Sequence, residues 1–293
     1  MSEFRQTSAW WGRWNAHMSI SQIQTDRAAL FRALHTAGRP LVLPNIWDVA
    51  GARIVEDAGA SAIATTSAGV SWGLGAADGD ELDRDLALHL IARVVAAVDV
   101  PVTADIESGY ADHSEGVAET VQGVLAAGAV GVNLEDAHHR GPTPLRPAPE
   151  QAERIVAARQ AAGSAALFIN ARIDTYLLSA GDPTARLRET LSRAEVYLAA
   201  GADGIFVPGV TDPQIISALV EGVAAPVNVL AGPGAPAVAE LAALGVARVS
   251  LGSSIAEAAY AVVRSSAQEV LATGTYGTLT RALGYGELNE LLR

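Results

Sequence analysis

Apolar residues along this chain fall into short runs of strand length, separated by longer stretches where they recur every three or four positions. Eight runs lie at 40–47, 61–69, 101–109, 130–137, 167–175, 204–209, 226–232 and 247–253. Residues 26–38, 49–58, 81–98, 114–127, 149–162, 184–200, 212–223, 235–244 and 254–273 carry the spacing of helices with one buried face. Strands alternating with helices imply parallel pairing and right-handed crossovers. One helix-to-strand junction recurs four times: DAGASAIATTS from Asp57, AAGAVGVNLED from Ala126, AAGADGIFVPG from Ala199 and ALGVARVSLGS from Ala243. Each sets a Gly after an Ala/Leu-rich helix, where the left-handed conformation suits it, and then a β-branched run. Four copies of one junction mean one supersecondary unit used repeatedly. Asp212-Pro213 and Asp182-Pro183-Thr184 read as helix starts. Eight such units predict an α/β protein with a closed (β/α)8 TIM barrel. An open doubly wound sheet would usually show a Gly-rich phosphate turn after its first strand, and LPNIWDVAGAR is not one.

The pattern predicts one catalytic domain over 25–293, an N-terminal extension over 1–24, and C-terminal helices ending in LGYGELNELLR. Of the 293 residues half are hydrophobic but only 5% aromatic, so the core is built from Ala, Val, Leu and Ile. There is no cysteine, which excludes disulfides, thiolate metal sites and Cys nucleophiles. A formal charge of −12 argues against nucleic acid or an anionic membrane as partner, though not against a small anionic substrate. No apolar run approaches the roughly 18 residues of a membrane span, and residues 1–20 lack a signal-peptide core. A cytoplasmic protein is expected. Trp10, Trp11 and Trp14 are expected to pack on the barrel or a neighbouring subunit, unless the segment is an extension upstream of a start near Met18.

Active sites of such barrels form at the C-terminal ends of the strands. The third run ends in Asp105-Ile106-Glu107, whose two acids are expected on one strand face. The fourth ends in Glu135-Asp136. Clustered acids inside apolar strands are costly without a cation, and carboxylate oxygens favour a hard one such as Mg2+. For Asp112 and Asp136, capping of the following helix is the favoured reading. The fifth run carries Asn170, Arg172 and Asp174 on one face; Arg172 suits a substrate carboxylate, an ion pair with Asp174, or both. Thr66, Ser67 and Ala68 with Gly69 offer backbone amides to an anion, and Asp78 follows in a Gly-rich loop. The loop 137–149, AHHRGPTPLRPAP, is long and reads as a lid, with His138, His139 and Arg140 as candidates for acid–base work or anion binding.

Taken together these residues resemble the isocitrate lyase/phosphoenolpyruvate mutase superfamily, in its phosphonomutase-like branch, from about residue 41 to 254. VTADIESGYAD is similar to its first metal motif, with Glu at the second acid and Ala after Tyr110; GVNLED resembles its second, and INARIDTY its substrate-arginine strand. The resemblance implies Mg2+ (or Mn2+) held by Asp105, Glu107 and Glu135, mostly through waters. It implies a 2-oxo acid bound by Arg172, by amides around Thr66, Ser67 and Ala68, and near Asp105 and Asp78. It also implies a homo-oligomer, a tetramer or dimer, with tetramers exchanging the last barrel helix. The K-[KR]-C-G-H motif of isocitrate and methylisocitrate lyases is absent from the 137–149 loop, so neither activity is expected. The phosphonomutase lysine-asparagine motif is missing too, and Pro208 stands where that branch has a polar residue.

The leading expectation is a Mg2+-dependent lyase or hydrolase that breaks a C–C bond in a small 2-oxo or 2-hydroxy acid through a metal-stabilised enolate. Arg172 would orient the acid, and His138 or His139 would move the proton. The alternatives are P–C bond chemistry, with Arg140 and Arg146 holding a phosphoryl group, and a non-catalytic 2-oxo acid binder.

Overall fold

The computed structural model describes residues 21–293; the three N-terminal tryptophans lie outside them. Helix α1 (Gln22–Ala33) precedes strand β1 (Leu41–Leu43) and α2 (Val49–Asp57). Strand β2 (Ile63–Ala64) leads into a short α3 (Ser67–Gly73) and then α4 (Arg84–Ala97). The alternation continues with β3 (Val102–Asp105), α5 (Ser114–Ala126), β4 (Gly131–Glu135), α6 (Ala148–Ala162), β5 (Phe168–Arg172) and α7 (Arg186–Ala199). It ends with β6 (Gly204–Val207), α8 (Pro213–Gly222), β7 (Val227–Leu230), α9 (Val238–Ala243), β8 (Arg248–Ser250), α10 (Ser254–Thr273) and α11 (Tyr285–Leu291). All eight strands are parallel in one sheet, with β8 beside β1. Ile46 and Thr65, just past β1 and β2, form the parallel bridge that closes the barrel.

The repeated junction is real and has one geometry. Gly59, Gly128, Gly201 and Gly245 all adopt positive φ, between 87° and 108°. After each, the next amide donates five residues back: Ala60 to Val55, Ala129 to Val124, Ala202 to Tyr197 and Val246 to Leu241, at 3.0–3.2 Å. This is the Schellman closure, and it lets each strand start at once. Strand residues alternate: Val132, Leu134, Ile169, Ala171, Ile205, Val207 and Val229 face the helices in the main apolar core. The inward residues are different in kind.

The barrel's floor is plugged by α1. Phe31 packs edge-on against Phe168, and His35 stacks on Phe168 at 4.1 Å. Inward Gly131 makes room for this, since a Cβ there would sit 2.9 Å from the Phe31 ring. Above the plug lies a polar layer in place of the branched apolar layers usual in such barrels. Asn133 Oδ1 accepts from Asn170 Nδ2 at 2.9 Å and from the fully buried Arg248 at 3.2 Å.

Three expectations need correction. Residues 67–73 are a helix rather than strand end: Thr66, still extended, is its N-cap, and the small residues after it allow close packing, a Cβ on Gly69 falling 2.8 Å from Thr66 and 2.9 Å from Trp47. The strands are shorter than their apolar runs, spanning two to five residues, because the ends of each run are loop residues outside the ladder. Asp182 accepts from the Thr184 amide in a turn, but the helix starts only at Arg186; Asp212 does cap α8, accepting from Gln214 at 2.8 Å.

Candidate active site

Strand β3 ends at Asp105, and the chain then turns sharply: Glu107 (φ 51°), Gly109 (φ 97°) and Tyr110 (φ 51°) are left-handed. Two of these three are not glycine, and each costs roughly 1 kcal/mol or more unless its surroundings hold it. Asp105 and Glu107 therefore do not share a strand face, contrary to expectation. Asp105 stays in the barrel wall, its amide donating to Thr65 Oγ1 at 2.8 Å and its Oδ2 accepting from the Ser67 amide at 3.4 Å. Glu107 instead reaches toward the loop after α3, where its Oε2 accepts from the Gly79 amide at 2.8 Å and from the Asp80 amide.

Strand β4 delivers Glu135, and β5 delivers Arg172, its lateral neighbour in the register. Arg172 Nη1 lies 2.5 Å from Glu135 Oε2, and its Nε and Nη2 donate to Asp174 at 2.7 and 2.8 Å. The ion-pair reading of Arg172 is thus realised, in a bidentate form, and it aims the guanidinium along the rim. Asp136 does not cap a helix. Its Oδ1 accepts from the Asp174 amide (2.9 Å) and its Oδ2 from Tyr197 (2.8 Å) and Arg193 (3.1 Å), so it holds the segment that holds Arg172. Asp112 is not a cap either; the N-cap position of α5 is His113.

The two histidines of the 137–149 loop part company. His139 Nε2 lies 2.8 Å from Glu135 Oε1, with its ring against Gly79. His138 folds back on its own turn, so close to Gly141 that a Cβ there would have no room. Arg140 donates to the Asp80 carbonyl at 3.0 Å and faces solvent, and Arg146 pairs with Glu150 at 2.8 Å.

Electrostatically the mouth is short of positive charge. Burial pushes the Asp105 carboxyl up, with Arg172 opposing and Asp78 reinforcing the shift. Burial pushes Glu107 up to about 7 and Glu135 up to about 8, the latter against the pull of Arg172. The hydrogen bond to Glu135 raises His139. Asp105 Oδ1 and Glu107 Oε1 are buried without a hydrogen-bond partner, a cost seldom left standing unless something else binds there. Among the described residues no three His, Asp or Glu side chains converge as a direct ligand set. The reason is local: Glu135 is drawn to Arg172 and His139, and Glu107 to backbone amides. The donor set, carboxylate oxygens of which two are buried and unpartnered, fits a hard, oxygen-ligated ion.

Sequence reasoning missed Asp80, Ser108 and Arg154. Ser108 Oγ donates to Asp80 Oδ2 at 2.5 Å. Arg154 sits on the buried face of α6 with Gln151, Ile155 and Ala158. A charge on an apolar helix stripe was the available signal.

The family model described as phosphoenolpyruvate phosphomutase matches residues 31–271. An uncharacterised protein of Mycobacterium tuberculosis is 38% identical over 262 residues, spanning 89% of this chain and 95% of its own. A crystal structure from Burkholderia cenocepacia J2315, of a protein provisionally called a phosphonomutase, is 45% identical with a TM-score of 0.79. That match covers 83% of this chain and 99% of the other. A phosphonopyruvate hydrolase solved with oxalate and Mg2+ is 25% identical, with a TM-score of 0.79, over 90% of this chain and 94% of its own.

Proposed function

Because the chain belongs to the phosphoenolpyruvate phosphomutase family, we propose that it cleaves a C–C bond in a small 2-oxo or 2-hydroxy carboxylic acid, with Mg2+ as cofactor. It is an enzyme of the superfamily's lyase or mutase type; the bond, the substrate class and the metal are our reading. The observation that carries it is the pair of buried, partnerless carboxylate oxygens on Asp105 and Glu107, with Arg172 near Asp105. Asp105, Glu107 and Glu135 would hold Mg2+, or Mn2+ in its place. When bound, the ion supplies an electron sink for the negative charge that develops beside the breaking bond.

The chain's own residues do the rest. Two of the five N–H donors of Arg172 are spent on Asp174. Its Nη1 pairs with Glu135, so a substrate carboxylate would be oriented by the N–H groups of Nη1 and Nη2 that these two acids leave over. The Ser67 and Ala68 amides, at the start of α3 behind Thr66, and the Asp78 side chain border the same mouth. His139, hydrogen-bonded to Glu135, holds the proton that a general acid–base step needs; His138, turned onto Gly141, supports the lid. P–C chemistry is the weaker reading here, since Arg140 is spent on the Asp80 carbonyl and faces solvent and Arg146 is paired with Glu150. We place the protein in the cytoplasm; no helix among the described residues is long and apolar enough to cross a membrane. The test is metal-dependent pyruvate release from a panel of 2-hydroxy and 2-oxo dicarboxylates. Absence of turnover with Mn2+ demonstrably bound would overturn the reading, and phosphorus NMR of phosphonopyruvate incubations would expose P–C cleavage.

A further inference from the structure

Helix α6 lies outside the barrel, yet one of its side chains reaches the carboxylate loop. Arg154 is 1% exposed. Its Nη2 donates to the carbonyls of Ser108 and Ala111 (2.9 Å), and its Nη1 to that of Asp112 (3.2 Å). Those three carbonyls bracket the left-handed turn at Gly109 and Tyr110 and follow directly on Glu107. No carboxylate pairs with this guanidinium among the described residues, so its hydrogen bonds are spent on backbone alone. Burial pushes it down to about 10, still charged at neutral pH.

The turn it holds is joined to two other loops. Ser108 Oγ donates to Asp80 Oδ2, and the Gly79 and Asp80 amides donate to Glu107 Oε2. Asp80 is itself left-handed (φ 61°), and its carbonyl accepts from Arg140 of the lid. Three loops at the mouth thus meet at Asp80, and the rigid element behind them is α6.

We propose that Arg154 is a positioning residue: by clamping the 108–112 carbonyls it sets the direction in which Glu107 leaves β3. Its effect on a divalent ion passes through Glu107, and that part alone rests on the metal reading above. A lysine is a point charge with no planar fork, so it can serve one or two of these carbonyls but not all three in this geometry.

The test compares Arg154→Met and Arg154→Lys with the unaltered chain. Far-UV circular dichroism and thermal unfolding establish that each variant folds. Hydrogen–deuterium exchange over residues 106–112, without metal, is expected to speed up by roughly tenfold or more in the Met variant and less in the Lys variant. Mn2+ titration by water-proton relaxation is expected to show affinity weakened about 10- to 100-fold, in the same order. Exchange at the unaltered rate in a folded variant overturns the proposal. If the Met variant does not fold, the Lys variant decides by the same readouts. If the unaltered chain binds no Mn2+, the metal reading fails, while the exchange experiment still judges Arg154.

Discussion

At the scale of single residues, the buried acids at the barrel mouth cost stability. A carboxylate whose folded-state pKa is raised by burial destabilises the folded protein at neutral pH relative to its protonated or amide form. Asp105 is such a group, with one oxygen unpartnered. Asp105→Asn keeps the shape and removes the charge. It is expected to raise the melting temperature of the metal-free protein and to weaken Mn2+ binding by about 100-fold or more. A lower melting temperature would show that Asp105 is instead a needed counter-charge for Arg172 and Arg248. Arg172 illustrates how partners define a residue: its bidentate bond to Asp174 depends on Asp136, which depends on Tyr197 and Arg193 of α7.

At the scale of elements, the repeated glycine junction and the α1 plug make separate predictions. Gly59 has φ 94° with no atom within 4 Å of where a Cβ would stand. Gly59→Ala therefore isolates backbone strain, and an unfolding measurement is expected to show a loss of about 1 kcal/mol. The α1 plug carries a pH dependence. Burial, reinforced by Arg248, lowers His35 to about 4 from its ordinary 6.5. Its Nδ1–H donates to the Phe31 carbonyl at 2.8 Å, and Nε2 is buried with no acceptor near it to stabilise a second proton. A histidine held neutral in the fold contributes fully above pH 6.5. Below that the unfolded chain takes up the proton first, so stability falls as pH drops from 6.5 toward 4, by on the order of 2–3 kcal/mol. Denaturant unfolding of His35→Leu across this range is expected to show a flatter acid limb than the unaltered chain. An unchanged limb would place the acid sensitivity elsewhere.

For the whole molecule, the informative surface is α10. Twenty residues long, it buries only Ala256, while Val262, Val263 and Leu271 are exposed and its base packs through Tyr260 on Trp47 and Trp72. The chain then returns so that the Leu291 carbonyl accepts from Arg53 of α2 at 2.7 Å. An apolar face of this extent is expected to be covered by another copy of the chain, in keeping with the dimer or tetramer the family resemblance implies. Light scattering on Val263→Asp, with Leu271→Asp added, is expected to report a smaller species than the unaltered chain. Equal masses would leave α10 a free surface.

Periodicity and the four glycine junctions determined the barrel, because a helix that must end within one turn and start a strand leaves few residue choices. Asp105, Glu135 and Arg172 drew attention in the sequence for a related reason, as charges inside apolar strands, and the structure places all three at strand ends on the barrel mouth. What the sequence could not carry is direction. Asp105 and Glu107 are two apart and look equivalent, yet three left-handed residues send them to different partners. His138 and His139 are adjacent, yet only His139 meets Glu135. Arg154, 46 residues from Ser108, holds that residue's carbonyl. Strand and helix periods are local properties of the chain, whereas the aim of a side chain in an irregular loop is set by whichever distant groups satisfy its backbone. Only the tertiary structure brings those together.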